Sequence, residues 1–260
     1  MPSQSTVERV PSTSEELHVY LLGPPRVEVG DVLLPVPRRQ VRALLYRLAA
    51  QPGSIPREQL CFLLWPDVPE SEARRSLSRL LTHLRRALPA PDLVIVSDDC
   101  VGLDSQRVWS DVINFIRFSK RNEKVESLRR AVDLYRGPFL SGFSLAGAPE
   151  FEPWLLQQQR DCERRYLDVL STLVETYAAR REYDAAIGYA RRYLATDELA
   201  EDVHRRLIAL YLAAGNRGAA LRQFERCAAI LERELGVRPL PETRAVYENA
   251  LQGRGPSVVS

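Results

Sequence analysis

Residues 70–88 have the sequence ESEARRSLSRLLTHLRRAL, and this stretch decides the fold of the N-terminal half of the chain. Apolar residues recur in it at spacings of three and four, which predicts one amphipathic helix. Glu70 and Glu72 stand in the first turn, where the helix dipole favours carboxylates, and Pro89 and Pro91 end the helix. The side predicted to face the core consists of Ala73, Leu77, Leu81, Leu84 and Leu88.

The opposite side of this helix is basic. It carries Arg75, Arg79, Thr82 and Arg86, flanked by Ser76, Ser78, His83 and Arg85, and no acidic residue occurs from Ala73 to Leu88. Arginine can fork onto guanine edges or phosphates, and serine and threonine can bond to either, so such a face fits the major groove of double-stranded DNA. Arginine-rich faces are more often only solvated. Here the position of the helix, third in its domain and followed by a hairpin, favours DNA binding.

Short strands are predicted on both sides of the helical region. Leu17–Leu22, Arg26–Val29 and Val32–Leu34 have strand-like sequences and predict a small antiparallel sheet. After the basic helix, Leu93–Val96 and Val101–Leu103 flank a polar turn and predict a hairpin.

Two shorter helices are predicted before the basic one. One lies between Pro37 and Pro52, and the other between Pro56 and Pro66. The first has its apolar stripe at Val41, Leu44, Leu45 and Leu48, and the second at Leu60, Cys61, Leu63, Leu64 and Trp65. The sheet, the three helices and the hairpin are therefore predicted to form one compact domain, residues 17–106.

From Ser110 onward the sequence predicts helices almost without interruption. Two stretches repeat at a distance of 34 residues, the period of tetratricopeptide units. The matching residues are Leu173, Val174, Tyr177, Ala186, Ile187 and Ala190 in one stretch, and Leu207, Ile208, Tyr211, Ala220, Leu221 and Phe224 in the other. A helix pair of this kind cannot bury its apolar face alone, so neighbouring pairs are expected to stack. Residues 111–251 are therefore predicted to form an all-α, tetratricopeptide-like domain.

The composition agrees with two globular domains. The chain has 260 residues, of which 45% are hydrophobic and 27% charged, which excludes a wholly disordered protein. No apolar run approaches the roughly 20 residues of a membrane-spanning helix, and residues 1–16 contain no secretory signal, so we expect a cytoplasmic protein that does not enter the membrane. Residues 1–16 and 252–260 are predicted to be disordered tails. Because the net charge is only +2, any affinity for nucleic acid has to come from a local basic surface.

Residues typical of catalytic or metal sites are scattered along the chain. His18, His83 and His204 have no carboxylate or cysteine at ligand spacing. The cysteines stand at Cys61, Cys100, Cys162 and Cys227, and these spacings fit neither a redox pair nor a zinc site. The chain also lacks a P-loop and a dinucleotide-binding motif. The sequence thus predicts no metal, no cofactor and no enzymatic activity.

Five segments resemble known families. Arg74–Leu77 and Leu84–Leu88, preceded by Leu60–Trp65, resemble the winged-helix output domain of two-component response regulators. Tyr135–Leu140 and Glu234–Pro239 resemble hallmark segments of the bacterial transcriptional activator domain, a tetratricopeptide-like module. The two domains in this order are similar to the Streptomyces antibiotic regulatory protein family, and the resemblance covers about residues 17–251. It implies a mainly α fold, with an N-terminal winged helix-turn-helix followed by the helical repeat domain.

The resemblance also implies a function. Members of this family are transcription activators in which the third helix binds direct-repeat DNA, the wing touches the adjacent minor groove, and RNA polymerase is recruited. The positions that match DNA contacts in the family pattern are Arg75, Ser76, Thr82, Arg85 and Arg86, and Arg79 and His83 belong to the same helix face. Asp67 and Val68, in the loop between the second and third helices, are expected to contact the polymerase. Two protomers are expected to bind a direct repeat as a homodimer.

The sequence departs from the family pattern at three places. His83 stands where arginine is usual, and Arg79-Leu80 stand where an apolar residue and then a polar or aromatic one are usual, so the resemblance does not specify the DNA sequence. Asp98 and Asp99 at the wing tip oppose the approach of phosphate. The alternative interpretation is a helical-repeat scaffold or ligand-sensing protein whose winged helix no longer binds DNA. The acid-free basic helix face argues against it.

Overall fold

The computed structural model of the protein describes residues 16–120 and 124–252. Apart from Glu16 and Gln252, the two predicted tails lie outside the described residues. The chain divides into two compact units, and one of them is discontinuous in sequence. The first unit contains the described residues up to Arg117 together with Leu134–Asp161, and the second contains Phe118–Asp133 and the chain from Cys162 onward. The sequence-based division into residues 17–106 and 111–251 stays a prediction.

The first unit begins with a small sheet. The sheet contains β1 (Leu17–Tyr20), β2 (Arg26–Val29) and β3 (Val32–Leu33). Each strand pairs antiparallel with the next, as the sequence predicts, and Leu17 lies opposite Val29. A fourth strand, β7 (Val108–Ser110), pairs parallel with β1 on its free side and was not predicted. Its three residues show no alternating pattern of their own, and its place is set by a partner about 90 residues earlier in the chain.

Three helices follow and enclose the core of this unit. They are α1 (Arg39–Ala49), α2 (Arg57–Leu64) and α3 (Glu70–Ala87). The residues that the sequence assigns to the inner side of α3 are all buried, namely Ala73, Leu77, Leu81, Leu84 and Leu88. Leu80 is buried as well, at 6% exposure, because α3 packs against both α1 and α2 and its apolar side is wider than a single stripe.

A second sheet of three strands forms the wing. Strands β5 (Val94–Val96) and β6 (Cys100–Leu103) make the predicted hairpin, and β4 (Ile55–Pro56) pairs with the other edge of β6. The strand β4 was not predicted, since two residues before a helix carry no periodic signal. It ties the wing to the start of α2, where the backbone amide of Arg57 donates to the carbonyl oxygen of Asp99 at 2.7 Å.

The segment between helices α5 (Val125–Leu134) and α6 (Phe151–Ala179) belongs to the first unit. Leu22 and Phe139 form an isolated antiparallel bridge, and the amide of Leu140 donates to the carbonyl of Leu21 at 2.7 Å. The amide of Gly23 also donates to the carbonyl of Pro138 at 3.1 Å. Phe139 and Leu140 are fully buried as a result. The hallmark segment Tyr135–Leu140 thus completes the core beside the N-terminal sheet.

Asp111 fixes the end of β1 to the start of α4 (Asp111–Phe118). Its two carboxylate oxygens accept the backbone amides of Leu21 at 2.8 Å and Leu22 at 3.0 Å, and the residue is 0% exposed. Burial raises the pKa of this carboxyl, while the backbone hydrogen bonds act in the opposite direction.

The second unit consists of helices that stack in pairs. After α6 come α7 (Tyr183–Thr196), α8 (Glu201–Ala213), α9 (Arg217–Leu235) and α10 (Pro241–Leu251). The 34-residue repeat is visible in burial, since Tyr177 and Tyr211 are 8% and 5% exposed and the small Ala186 and Ala220 are both 0%. The predicted fold class, mainly α with a small N-terminal sheet region followed by a helical domain, is therefore confirmed. No helix within the described residues is long and apolar enough to cross a membrane.

Candidate nucleic-acid interface

The polar side of α3 faces solvent along most of its length. Arg75, Arg79, Thr82 and Arg86 are exposed, and Ser76, His83 and Arg85 are half-buried. The structure thus places all seven predicted DNA-binding residues outside the core of the first unit. The buried leucines of α3 pack in the core and hold the helix in place, so its exposed side chains extend from a rigid support.

Three of these arginines have no ion-pair partner among the residues that the structure describes. Arg75, Arg79 and Arg86 have no ion pair or hydrogen bond with any described residue. Their neighbour Arg74 differs, since its Nε donates to the Glu70 carboxylate at 2.8 Å. An unpaired arginine in water can engage a phosphate or a base edge without first breaking an internal ion pair. These three side chains are therefore the part of the face best prepared to bind an anion.

Arg85 and His83 are already engaged within the protein. A terminal nitrogen of Arg85 donates to the carbonyl oxygen of Val94 at 3.2 Å and braces the base of the wing hairpin against α3. His83 Nε2 lies 2.6 Å from a terminal nitrogen of Arg38, at the start of α1. Arg38 received no role from the sequence. It is 45 residues away from His83 and outside every periodic pattern, so only the tertiary structure reveals this contact.

Hydroxyl groups on α3 bond to the helix backbone. Ser78 donates to the carbonyl of Arg74 at 2.9 Å, and Thr82 donates to the carbonyl of Ser78 at 3.0 Å. Each hydroxyl oxygen still has lone pairs that can accept a hydrogen bond, so Thr82 remains able to accept from a base amino group.

The wing tip is acidic and exposed. Asp98 and Asp99 are both exposed between β5 and β6, and the hydroxyl of Ser97 accepts the amide of Cys100 at 3.2 Å to close the turn. Two carboxylates at the tip repel a phosphate backbone. The wing is therefore the electrostatically unfavourable end of a surface whose other parts are basic.

The loop between α2 and α3 borders a partly apolar depression of about 510 Å³. Asp67 is exposed and Val68 half-buried, and Val68 lines the depression together with Phe62, Trp65 and Ala73. Phe62 is 58% exposed, so an aromatic side chain faces solvent beside this depression. Trp65, which the sequence assigns to the core, is only half-buried and belongs to this rim. The sequence did not single out Phe62, because it lies in a continuous apolar run.

The histidines and cysteines considered as candidate metal ligands form no cluster among the described residues. Within residues 16–120 and 124–252, no three His, Cys, Asp or Glu side chains come close enough to hold a metal ion. His204 is buried between the carbonyl of Glu198 at 3.0 Å and the side-chain amide of Gln223 at 2.7 Å, and burial lowers its pKa. Burial raises the pKa of the Cys227 thiol to about 11, which keeps it protonated and unreactive.

Comparison with known proteins agrees with the fold and with the hallmark segments. Residues 116–251 match the bacterial transcriptional activator domain. The chain belongs to this family of transcriptional regulators. It is 24% identical over 259 residues to the transcriptional regulatory protein MoaR1 of Mycobacterium tuberculosis, covering 93% of this chain and 81% of that protein. It is also 24% identical over 261 residues to the regulatory protein AfsR of Streptomyces griseus, covering 97% of this chain but only 26% of AfsR.

A solved structure has the same architecture. Mycobacterium tuberculosis EmbR, in complex with a low-affinity phosphopeptide, superposes with a TM-score of 0.65 at 21% identity, over 94% of this chain and 67% of that chain. The similarity to the Streptomyces antibiotic regulatory protein type that the sequence indicates is thus confirmed, both by the family match and by its relatives.

Proposed function

We propose that this transcriptional regulator is a sequence-specific activator that binds double-stranded DNA through α3. The observation that carries the proposal is the row of unpaired, exposed arginines on α3, Arg75, Arg79 and Arg86, on the side opposite its buried leucines. Arg75 and Arg86 are 11 positions apart, or about 16 Å along a helix that rises 1.5 Å per residue. That length spans several base pairs of a major groove.

The DNA-binding residues of this proposal have different roles. Arg75, Arg79 and Arg86 supply contacts to phosphates and base edges, and Ser76 and Thr82 add hydrogen bonds. Arg85 supports the wing and offers its remaining N–H groups to the backbone. His83 acts together with its partner Arg38. Residues held on a packed helix keep the same relative positions in free protein and complex, which favours selective binding.

The proposal extends to the assembly on DNA. Two protomers would bind the two halves of a direct repeat in the cytoplasm as a homodimer, since one α3 contacts too few base pairs to define a promoter. RNA polymerase would be recruited through the loop of Asp67 and Val68. The depression beside this loop supports the idea, because exposed Phe62 next to an acidic loop can receive a partner with an apolar and a basic side chain.

The direct test of DNA binding is titration of labelled duplexes from the regulator's own upstream region at several salt concentrations. If two protomers neutralise about 6–8 phosphates, the slope of log affinity against log salt is about −5 to −7. Arg79→Ala should cost about 1–3 kcal/mol on the preferred duplex and little on random DNA if Arg79 contacts a base, and it should weaken binding to both duplexes alike if Arg79 contacts a phosphate. Salt-independent or undetectable binding by folded protein would refute DNA binding and favour the scaffold alternative.

The test of polymerase contact uses Asp67→Ala with Val68→Ala. These changes should lower transcription in a reconstituted assay and leave DNA affinity unchanged, because the loop lies outside the arginine row. Asp98→Ala, at the wing tip, is the matched acidic control and should leave transcription intact at saturating protein. Loss of DNA affinity in the loop variant would contradict the proposed division of roles.

A further inference from the structure

A groove of about 540 Å³ runs between the start of α1 and the side of α3. Its lining includes Arg38, Arg39, Trp65, Ser76, Arg79 and His83. No described acidic residue lines it. A second groove of about 350 Å³, bordered by Pro37 and Arg86, shares Arg38 and His83 with the first, so this pair forms the ridge between the two.

The hydrogen bond between Arg38 and His83 has a defined direction. A guanidinium can only donate, so His83 Nε2 accepts at 2.6 Å and the ring proton belongs on Nδ1. The contact uses one of the five N–H donors of Arg38, and within the described part of the chain no carboxylate pairs with its positive charge. It also fixes the side chain beside α3, which reduces the entropy that Arg38 would lose on binding a ligand.

Arg39 has a different task. Its Nε and one terminal nitrogen donate to the carbonyl and the hydroxyl of Ser144, the latter at 3.0 Å. Its guanidinium also lies 5.2 Å from the ring centre of Phe143. Arg39 is thus held by the loop that follows the hallmark segment Tyr135–Leu140. The charges that remain available in the groove belong to Arg38, immediately before α1, and Arg79 on α3.

We infer that this groove binds a DNA backbone phosphate, with Arg38 as a phosphate contact outside the recognition helix. The inference rests on the proposed function and extends it to α1. Two guanidinium groups with no ion pair to a described residue, one immediately before α1 and one on α3, are suited to a phosphodiester, and the Ser76 hydroxyl lies in the same groove. A contact from a second helix would also set the rotation of α3 in the major groove, since phosphate contacts position the protein while base contacts specify sequence.

The test compares Arg38→Ala, Arg38→Gln and Arg38→Lys with Arg160→Ala in the full-length protein. Arg160 is an exposed arginine of the same unit that lines neither groove. Each variant is titrated with the preferred duplex and with a scrambled duplex of equal length at several salt concentrations. Thermal unfolding of each variant is measured in parallel.

Arg38→Ala should weaken binding to both duplexes about fivefold for each bound protomer at about 0.15 M salt, or about 25-fold for two protomers, because one phosphate contact contributes about 0.9 to the slope of log affinity against log salt. The slope itself should become shallower by about 0.9 per protomer. Arg38→Gln should match Arg38→Ala, and Arg38→Lys should keep the parent slope. If Arg38→Ala does not fold, Arg38→Gln and Arg38→Lys still provide the comparison with the parent protein. Arg160→Ala should equal the parent protein.

The inference is overturned if Arg38→Ala and Arg38→Gln keep the parent slope and affinity, or if they weaken only the preferred duplex. It is also overturned if calorimetry finds inorganic phosphate bound through Arg38 while DNA affinity is unchanged, since the ligand would then be a free phosphate. Failure of the parent protein to bind either duplex refutes the proposed function instead. Salt-dependent binding by the parent with an unaffected Arg38 series refutes only this inference.

Discussion

Replacing Asp111 by alanine should destabilise the first unit strongly. Its carboxylate is fully buried and accepts two backbone amides, from Leu21 and Leu22, which are themselves 0% and 3% exposed. A buried donor left without a partner costs about 1–3 kcal/mol, so the loss of both bonds predicts about 2–6 kcal/mol. Asn retains one acceptor, and Asp111→Asn should cost about half as much.

The tryptophans make this prediction measurable for one unit. All three, Trp65, Trp109 and Trp154, belong to the first unit, so urea unfolding followed by tryptophan fluorescence reports on that unit alone. Circular dichroism at 222 nm follows the helices of both units. Asp98→Ala is the matched control, because this aspartate is exposed in the same unit and surface changes stay within about 0.5 kcal/mol. A fluorescence midpoint and slope for Asp111→Ala equal to those of the control would refute the assigned role.

The remaining predictions concern pH, the wing and the repeats. Burial raises the folded-state pKa of Asp111, so the part of its stability that is linked to protonation is fully present below the unfolded pKa of about 3.9 and is lost as pH rises through the folded pKa. The parent should therefore gain stability relative to Asp111→Asn as pH falls from 7 toward 4 in urea titrations. Asp98→Asn with Asp99→Asn should strengthen DNA binding at low salt, and no change in the titration would mean that the wing stays clear of phosphate. Tyr211→Ala should destabilise the second unit by about 3–5 kcal/mol by analogy with other large aromatic truncations, seen as a shifted dichroism transition, whereas an unchanged transition would contradict its place in the repeat core.

The local patterns of the sequence were sufficient for the helices and for most of the strands. The spacing of Ala73, Leu77, Leu81 and Leu84 predicts the buried side of α3, and the acidic first turn and the prolines after the helix predict its limits. The 34-residue repeat predicts the buried Tyr177 and Tyr211. These predictions succeed because a helix has 3.6 residues per turn, so apolar residues spaced three and four apart lie on one side and mark the side that is buried. The identity of the exposed arginines on α3 follows from the same period.

Only the tertiary structure decided the features that depend on distant partners. The strand β7, the bridge between Leu22 and Phe139, and the contact of Arg38 with His83 each join segments far apart in the chain. The strand pairing and the bridge are backbone hydrogen bonds, which use groups that every residue carries, and the Arg38–His83 contact joins two isolated polar side chains, so no periodic pattern in the sequence indicates any of them. Asp111 and Arg38 likewise look like ordinary polar residues until folding places one against two buried amides and the other beside α3. The sequence therefore determines which surface each helix buries, and the packed chain determines which lone polar groups meet.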